Sequence, residues 1–241
     1  NQELKDLYWE GDAEIYAYPV DPEHPAIYIP LEKMPETVRE LFGYDPEKAK
    51  KLLAEAGYPQ GFKTEVILTE SMVDIFSIIK EYWAKIGVDL GLEIRPFAVW
   101  NSIASAKSHK QILADNGAVG ANHGRVFSST LRPGGGNNYS IVNDPWQEII
   151  EERMNRDYFD LGSKLWGHLY EPMGEGVPGF VPYQLEQAWY INLPQPYTYS
   201  LWWPWLKGFT GTATATAQHI NNLFWTRYAW IDPELKKAMG H

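Results

Sequence analysis

The sequence predicts an α/β protein, because strand patterns and helix patterns alternate along its middle. Residues 62–97 show a strand pattern, a helix pattern and a second strand pattern, which describe a β-α-β unit with parallel strands and a right-handed crossover. Residues 99–119 add one more helix pattern and one more strand pattern. Hydrophobic residues make up 44% of the 241-residue chain, enough for a real core. The fold class is therefore α/β or mixed α+β.

The first 44 residues are divided by prolines. Residues 3–9 have a short helix pattern. The prolines that follow are Pro19, Pro22, Pro25, Pro30 and Pro35. Prolines this frequent disfavour regular elements, so residues 10–44 are expected to form extended connections.

The clearest helix signal lies at residues 45–57. Asp45 is a good N-cap, Pro46 suits the first helical position, and Glu47 places an acid in the first turn. The apolar residues at helical spacing are Ala49, Leu52, Leu53 and Ala56. Gly57 is the expected C-cap.

The β-α-β unit begins at residues 62–68, where apolar and polar residues alternate as in a half-buried strand. Residues 71–86 then carry a helical stripe that consists of Met72, Ile75, Phe76, Ile79, Trp83 and Ile86. Residues 88–97 again have a strand pattern. A helix at about 99–106 and a strand at about 111–119 complete this region.

The second half of the chain is rich in turns and aromatic residues. Residues 120–144 predict a long loop, and long loops in compact domains are often functional. Pro145 begins a long helix pattern. Residues 176–231 are rich in aromatic residues and proline, with a strand pattern at 188–193, and residues 232–241 are expected to be a short polar tail.

The composition excludes several classes of protein. The 21 basic and 31 acidic residues give a net charge of −10, and an acidic chain without a basic cluster is a poor partner for nucleic acid. The chain has no cysteine, which excludes disulfide scaffolds and cysteine-ligated metal sites. No apolar run reaches the roughly 20 residues that span a bilayer.

The common catalytic and phosphate-binding motifs are missing from the sequence, so no cofactor is expected. Its six histidines are not paired at helical spacing, so no metal site is expected either. An acid pair for glycoside hydrolysis could be drawn from Glu151, Glu152, Glu171 and Glu175, which leaves a carbohydrate-active enzyme open. Tryptophans are dense in the last third, where they serve either packing or stacking on a sugar ring. A stand-alone carbohydrate-binding or interaction module is therefore also open.

One segment carries a specific resemblance. Residues 44–58 read YDPEKAKKLLAEAGY, and Gly61-Phe62 and a strand follow them. This segment resembles the hallmark of the family 5 extracellular solute-binding proteins, the receptors of peptide, nickel and oligosaccharide ABC importers. The helix end at 83–88 and the stretches 203–208 and 230–237 are also similar to that family, so the resemblance covers nearly the whole chain.

The resemblance implies a lobe of the periplasmic-binding-protein type with a β-α-β core. Full-length members are about twice as long, so the chain is expected to be a C-terminal half that is incomplete without its N-terminal lobe. Residues 1–44 would connect from that missing lobe, residues 45–193 would form the ligand-binding α/β lobe, and residues 194–241 would return toward the first lobe. The start at Asn1 without a signal peptide suits such a fragment.

Receptors of this family hold their ligand in a cleft between two lobes that close by a hinge. The resemblance therefore implies a binding protein and not an enzyme. Its ligand would be a small polar solute, either an oligosaccharide or an oligopeptide, and its partner an ABC permease in the membrane. Its location would be the periplasm or the extracellular face of the membrane, with a lipid anchor left open.

The resemblance to peptide-binding members also implies candidate ligand-binding residues. Trp100 matches a tryptophan that follows the second strand, and Lys107 falls where a basic residue stands. His123 and Arg125 are further candidates on the loop that follows. Trp100 and Lys107 also fit a plain alternative, as ordinary positions of an amphipathic helix.

Two asparagines depart from the family pattern. Asn116 falls where a second arginine stands, and Asn122 falls where an aspartate grips the ammonium group of a peptide. Neither asparagine supplies the charge that a zwitterionic peptide needs, so a hydroxyl-rich ligand is slightly favoured. Turn chemistry at a strand-to-loop junction is the alternative explanation for both.

Overall fold

A computed structural model of the chain describes most of residues 1–114 and most of residues 169–241. The residues described are 1–15, 22, 28–114, 141, 144–146, 148–150, 152–153, 156, 169–189, 191–197, 199, 201–209 and 228–241. The helices are α1 (Gln2–Tyr8), α2 (Glu36–Arg39), α3 (Pro46–Glu55), α4 (Val73–Ala84), α5 (Phe97–Ser105), α6 (Phe180–Glu186) and α7 (Pro233–Ala238). The strands are β1 (Ala13–Glu14), β2 (Phe62–Leu68), β3 (Val88–Ile94), β4 (Ile112–Leu113), β5 (Gln195–Pro196), β6 (Leu206–Lys207) and β7 (Trp230–Ile231). Short 3-10 turns occupy Leu31–Lys33, Glu40–Phe42 and Glu70–Met72.

The parallel sheet β3-β2-β4 is the centre of the described structure. Strands β2 and β3 pair over their whole length, from Phe62 opposite Val88 to Leu68 opposite Ile94. Strand β4 pairs with the other edge of β2, and it too is parallel. The predicted β-α-β unit and the α/β fold class are confirmed.

The two faces of this sheet differ in character. Val66 and Leu90 point to one face and are buried against α4. The same cluster also contains Leu68, Met72, Ile75, Phe76 and Ile79. Alternate residues such as Glu65 and Glu93 point to the other face. Ile103 of α5 borders a cavity together with these glutamates, so α5 lies on the face opposite α4.

A second core joins segments that are distant in sequence. Val38 of α2 and Phe180 of α6 are fully buried in it. Its other buried members are Met34, Ile150, Leu169, Met173, Val177, Val181 and Leu185. The helical residues 145–156 that are described contribute Ile150, in agreement with the helix predicted from Pro145.

Aspartate followed by proline begins a helix at two places in the chain. The Oδ1 atom of Asp45 accepts a hydrogen bond from the Lys48 backbone N–H at 2.9 Å. The Oδ1 atom of Asp232 accepts one from the Leu235 backbone N–H at 3.0 Å. Both contacts satisfy donors that a helix start leaves unpaired. The helix predicted at residues 45–57 is confirmed, and the polar tail predicted at 232–241 is wrong because the same signal starts α7 there.

The apolar stripe predicted on α3 is not buried. None of the residues of this helix is buried, and the Leu52 side chain is 54% exposed. No described part of the chain packs over this apolar stripe closely enough to bury it.

Two further expectations are corrected. Extended structure was expected for residues 10–44, but α2 and two 3-10 turns lie within 31–42, because Pro30 and Pro35 occupy N-cap positions, where proline breaks no helical hydrogen bond. A strand was expected at residues 188–193, but the described residues of that stretch form none. Ala188 there has a left-handed φ of 51° and follows the end of α6. Most of the predicted loop 120–144, and the predicted strand beyond Ala114, lie outside the described residues.

The starts of β2 and β3 are held together by two glycines. Gly61 has a φ of +75°, and a Cβ atom placed on it would lie 1.8 Å from the carbonyl oxygen of Gly87. Gly57 has a similar φ of +91°, but a Cβ atom there would meet nothing within 4 Å. The two positions therefore separate the effect of a left-handed backbone from the effect of a close approach.

We predict that Gly61→Ala destabilises the chain more than Gly57→Ala does. Gly57→Ala should lower the free energy of unfolding by about 1 kcal/mol, the strain of a left-handed alanine. Gly61→Ala should cost about 1–3 kcal/mol more, because its methyl group collides with backbone. Urea unfolding followed by tryptophan fluorescence measures both. Equal costs for the two variants would contradict the close approach.

Candidate functional site

A crevice opens at the carboxyl ends of β2 and β3. The chain leaves β2 toward α4 and leaves β3 toward α5, and these helices cover opposite faces of the sheet. Such a divergence of connections creates the crevice in which open α/β sheets bind ligands. Its volume is about 440 Å³, within the range of small-molecule sites. Its described lining residues are Thr69, Glu70, Ser71, Ile94, Arg95, Pro96 and Phe97.

The wall that follows β2 is polar. The hydroxyl groups of Thr69 and Ser71 share a hydrogen bond at 3.1 Å, and Glu70 and Ser71 are exposed. These side chains offer hydroxyl donors and carboxylate acceptors to a bound molecule. Arg95, on the opposite wall, donates from its backbone N–H to the Leu68 carbonyl at 2.9 Å. Its guanidinium binds the Glu93 carboxylate, so that charge is already paired.

The wall that follows β3 is aromatic. Phe97 is the first residue of α5 and is 68% exposed, and its ring stacks on Trp100 with centroids 6.0 Å apart and planes 16° apart. Trp100 itself is only 5% exposed. Its Nε1–H donates to the Ala114 carbonyl at 2.9 Å, just beyond β4. Trp100 therefore ties α5 to β4, while Phe97 presents the aromatic face that solvent reaches.

The residues predicted from the resemblance are placed as follows. Trp100 stacks on Phe97, which lines the crevice, but is not itself among the lining residues. Lys107 lies two residues beyond Ser105, the last residue of α5, at the end opposite Phe97. Asn116, Asn122, His123 and Arg125 lie outside the described residues. Their roles therefore stay predictions.

Lys107 is in an unusual environment. Its φ is +50°, a left-handed conformation at the end of α5. Its Nζ atom is buried and has no hydrogen-bond partner in the described part of the chain. A buried ammonium group without a hydrogen-bond acceptor is energetically costly, so an added acceptor would stabilise Lys107.

Sequence reasoning missed the residues that line the crevice, Thr69, Ser71 and Phe97 among them. A usable signal was present, because each of them comes just after a strand of the predicted parallel pair. The carboxyl ends of parallel strands lie at one edge of a sheet, and ligands bind there. Position relative to the strands, rather than residue type, was the informative feature.

A second cavity of about 400 Å³ lies between α5 and its face of the sheet. Its described lining residues are Glu65, Ile67, Glu93, Ile103, Ser108, His109, Lys110, Gln111 and Ile112. His109 is 8% exposed, and its Nδ1 atom has no hydrogen-bond partner in the regions described. Burial, and to a lesser extent the charge of Lys107, lowers the pKa of His109 below its ordinary 6.5.

The acid pair considered for an enzyme is not assembled by the described residues. Glu152 and Glu171 are exposed, and Glu175 is exposed and bonded to Arg153 at 2.5 Å. Glu151 lies outside the described residues. Across the positions that the structure describes, no cluster of histidine and acidic residues could hold a metal ion. Within the same positions, every helix is too short or too polar to cross a membrane.

Comparison with known proteins gives a family match and similar structures. The model of the family described as "Bacterial extracellular solute-binding proteins, family 5 Middle" matches residues 1–138. Over 54 residues the chain is 48% identical to heme-binding protein A of Haemophilus influenzae, a match that covers 20% of this chain and 10% of that protein.

Two solved structures show the fold. One is the ABC transporter-associated periplasmic binding protein DppA from Helicobacter pylori in complex with the peptide STSA, with a TM-score of 0.61, 20% identity and coverage of 95% of this chain and 41% of that one. The other is a mannohexaose-bound periplasmic oligopeptide-binding protein from Thermotoga maritima, with a TM-score of 0.50, 19% identity and coverage of 70% and 36%. The predicted periplasmic-binding-protein-like fold is confirmed. The chain spans less than half of the length of either structure.

We predict that Trp100→Phe lowers the free energy of unfolding by about 2 kcal/mol, because the buried Ala114 carbonyl loses its donor. The control is Trp83→Phe, which removes the same atoms from a half-buried residue of α4 and should cost less than about 1 kcal/mol. Urea unfolding measures both variants. A control that costs as much as Trp100→Phe would contradict a special role for this hydrogen bond.

Proposed function

The chain belongs to the family 5 bacterial extracellular solute-binding proteins, and we propose that it supplies the ligand-binding lobe of an ABC-importer receptor. In this proposal residues 45–193 form the lobe, and residues 1–44 and 194–241 connect it to the first lobe. The lobe captures a small polar solute and presents it to a permease in the membrane. Its place of action is the periplasm or the extracellular face of the membrane.

The crevice at the carboxyl ends of β2 and β3 is the observation that carries this proposal. It combines an exposed aromatic ring with hydroxyl and carboxylate groups, and its position is where open α/β sheets bind ligands. Phe97 would stack on a flat face of the ligand, and Thr69 and Ser71 would bind polar groups around it. Trp100 would act by holding Phe97 in place.

The ligand class is proposed from the predicted residues as well. Asn122 in place of an aspartate, and Asn116 in place of an arginine, favour a ligand without two opposite charges. Lys107 stays a predicted ligand contact, but its buried Nζ atom lies beyond the end of α5 that is opposite the crevice, so only a ligand that extends past the crevice would reach it. His123 and Arg125 would add contacts to the ligand from the loop predicted at residues 120–144, which also contains Asn122. Both peptide and oligosaccharide stay candidates, since the two similar structures are described with a peptide and with mannohexaose.

The C-terminal segment exposes unusual apolar surface. Leu201 is 93% exposed, and the other large exposed side chains of this segment include Trp202, Trp203, Trp230 and Ile231. Trp203 stacks in parallel on the buried Trp205 at 4.6 Å, so its ring has a fixed orientation. Several large exposed apolar side chains within one segment are typical of an interface. In the proposed receptor this segment packs against the first lobe.

The alternative of a carbohydrate-active enzyme is not supported. The relatives named above are described as binding proteins, and the glutamates considered for an acid pair are solvated where they are described. A stand-alone carbohydrate-binding module is likewise not supported, because the family match covers residues 1–138, which include the sheet and the crevice.

We predict weak binding at the crevice, because this chain provides one side of a two-lobed cleft. The probes are the peptide Ser-Thr-Ser-Ala, mannohexaose and unrelated citrate, each titrated into the ¹⁵N-labelled chain. The first or second probe should shift the amide signals of Thr69, Ser71 and Phe97. Phe97→Ala should weaken that binding about three- to tenfold, the contribution of one aromatic contact.

The matched control for this experiment is Val99→Ala, which alters an exposed residue of α5 outside the crevice. It should leave the affinity unchanged. If neither Ser-Thr-Ser-Ala nor mannohexaose shifts the crevice signals of the folded chain, the proposed function fails. If binding is unaffected by Phe97→Ala, the crevice is the wrong location.

A further inference from the structure

The connection between α5 and β4 contains a histidine that ligand binding at the crevice does not use. His109 is buried on this connection, and its Nδ1 atom lacks a hydrogen-bond partner in the described chain. The Nζ atom of Lys107 is buried and unpartnered in the same way. The ammonium group of Lys107 and the imidazole of His109 interact electrostatically. This packing suits a neutral imidazole and would place two like charges together if the ring were protonated.

The cavity beside His109 offers the ring a second position. It measures about 400 Å³, and its far wall is the sheet. Glu65 of β2 and Glu93 of β3 line that wall. Both are carboxylate acceptors suited to an imidazolium group, although Glu93 also binds Arg95. A neutral ring has no comparable reason to leave its buried site.

The charged groups around His109 therefore favour different positions for its two protonation states. Among the described residues these groups are Lys107 and Lys110 on the connection, Glu65 on β2, and Glu93 on β3 with Arg95, which is bound to it. The lysines repel an imidazolium and the glutamates attract it. Both lysines lie on the connection, whereas both carboxylates lie across the cavity, where Arg95 offsets part of the charge of Glu93 and, within the described residues, leaves Glu65 as the free carboxylate of the two.

We propose that His109 is a pH-sensitive switch that controls how firmly α5 is tied to β4. The neutral ring stays buried beside Lys107. The protonated ring turns into the cavity toward Glu65 and Glu93 and pulls the connection with it. Because β4 begins at Ile112, this movement loosens the hydrogen bond from Trp100 to the Ala114 carbonyl.

The direction of the pH effect follows from the lowered pKa of His109. The folded state resists protonation of this group more than the unfolded state does, so the unfolded chain binds more protons as the pH falls below 6.5. Stability from His109 is fully present above pH 6.5 and is lost as the pH falls through the lower pKa of the folded state. The tie between α5 and β4 should weaken over the same range.

Nuclear magnetic resonance of the 241-residue chain tests the switch without any ligand. The His109 ring signals should titrate with a midpoint below 6.5. The indole N–H signal of Trp100 should change with the same midpoint, and its exchange with solvent should become at least about threefold faster on the acid side, after correction for the intrinsic pH dependence. The proposal is overturned if the titration midpoint of His109 is at or above 6.5. It is also overturned if the indole N–H signal of Trp100 does not change over the pH range in which His109 titrates.

Variants separate the charge effect from a merely structural one. His109→Gln should remove the transition at Trp100, whereas the control His241→Gln, at an exposed position, should keep it. Lys107→Met should raise the His109 midpoint, because a repelling charge is gone. Glu65→Gln should lower it, because an attracting charge is gone. Midpoints that do not move in Lys107→Met and Glu65→Gln contradict the switch even if His109→Gln does not fold.

Discussion

The pairing of β2 with β3 is the constraint on which the rest of the described lobe depends. Seven consecutive residue pairs fix the register from Phe62 to Leu68, and the register decides which side chains face α4. A slip of β2 by one residue would move Val66 out of the core and bring Glu65 in, while Leu90 of β3 stayed where it is. The same register aligns the ends of both strands, so that the segments after Leu68 and Ile94 meet across a crevice. Core and candidate site are thus consequences of one set of backbone contacts.

Much of this sheet could be predicted from the sequence, and the reason is local. The alternation in residues 62–68 and the helical stripe in residues 71–86 are signals that need no information from distant residues. The cap at Asp45 is equally local. The same signal at Asp232 predicts α7, and proline at Pro30 and Pro35 permits a helix start as well as a break. The expectation for residues 10–44 treated proline only as a residue that breaks helices, and not as one that can precede a helix start.

The candidate site was less predictable, because it depends on distances that the sequence does not contain. Trp100 was identified by resemblance, but the stacking that puts Phe97 in front of it arises from the direction in which α5 leaves β3. The separation of Lys107 from Trp100 follows from the length of α5. The exposure of α3 has a similar reason: a stripe at helical spacing shows which residues share a face, and tertiary contacts decide whether anything covers it.

The contact between Gly61 and Gly87 bears on how distant members of such a lobe can be detected. No side chain of any kind fits at Gly61 while the Gly87 carbonyl stays where it is, so the requirement is independent of what the lobe binds. Ligand-contacting positions can diverge with specificity, whereas this backbone contact cannot. The scaffold therefore has a signature of two glycines, each just before a strand, with one strand and one helix between them. This signature should be retained even when the bound ligand differs.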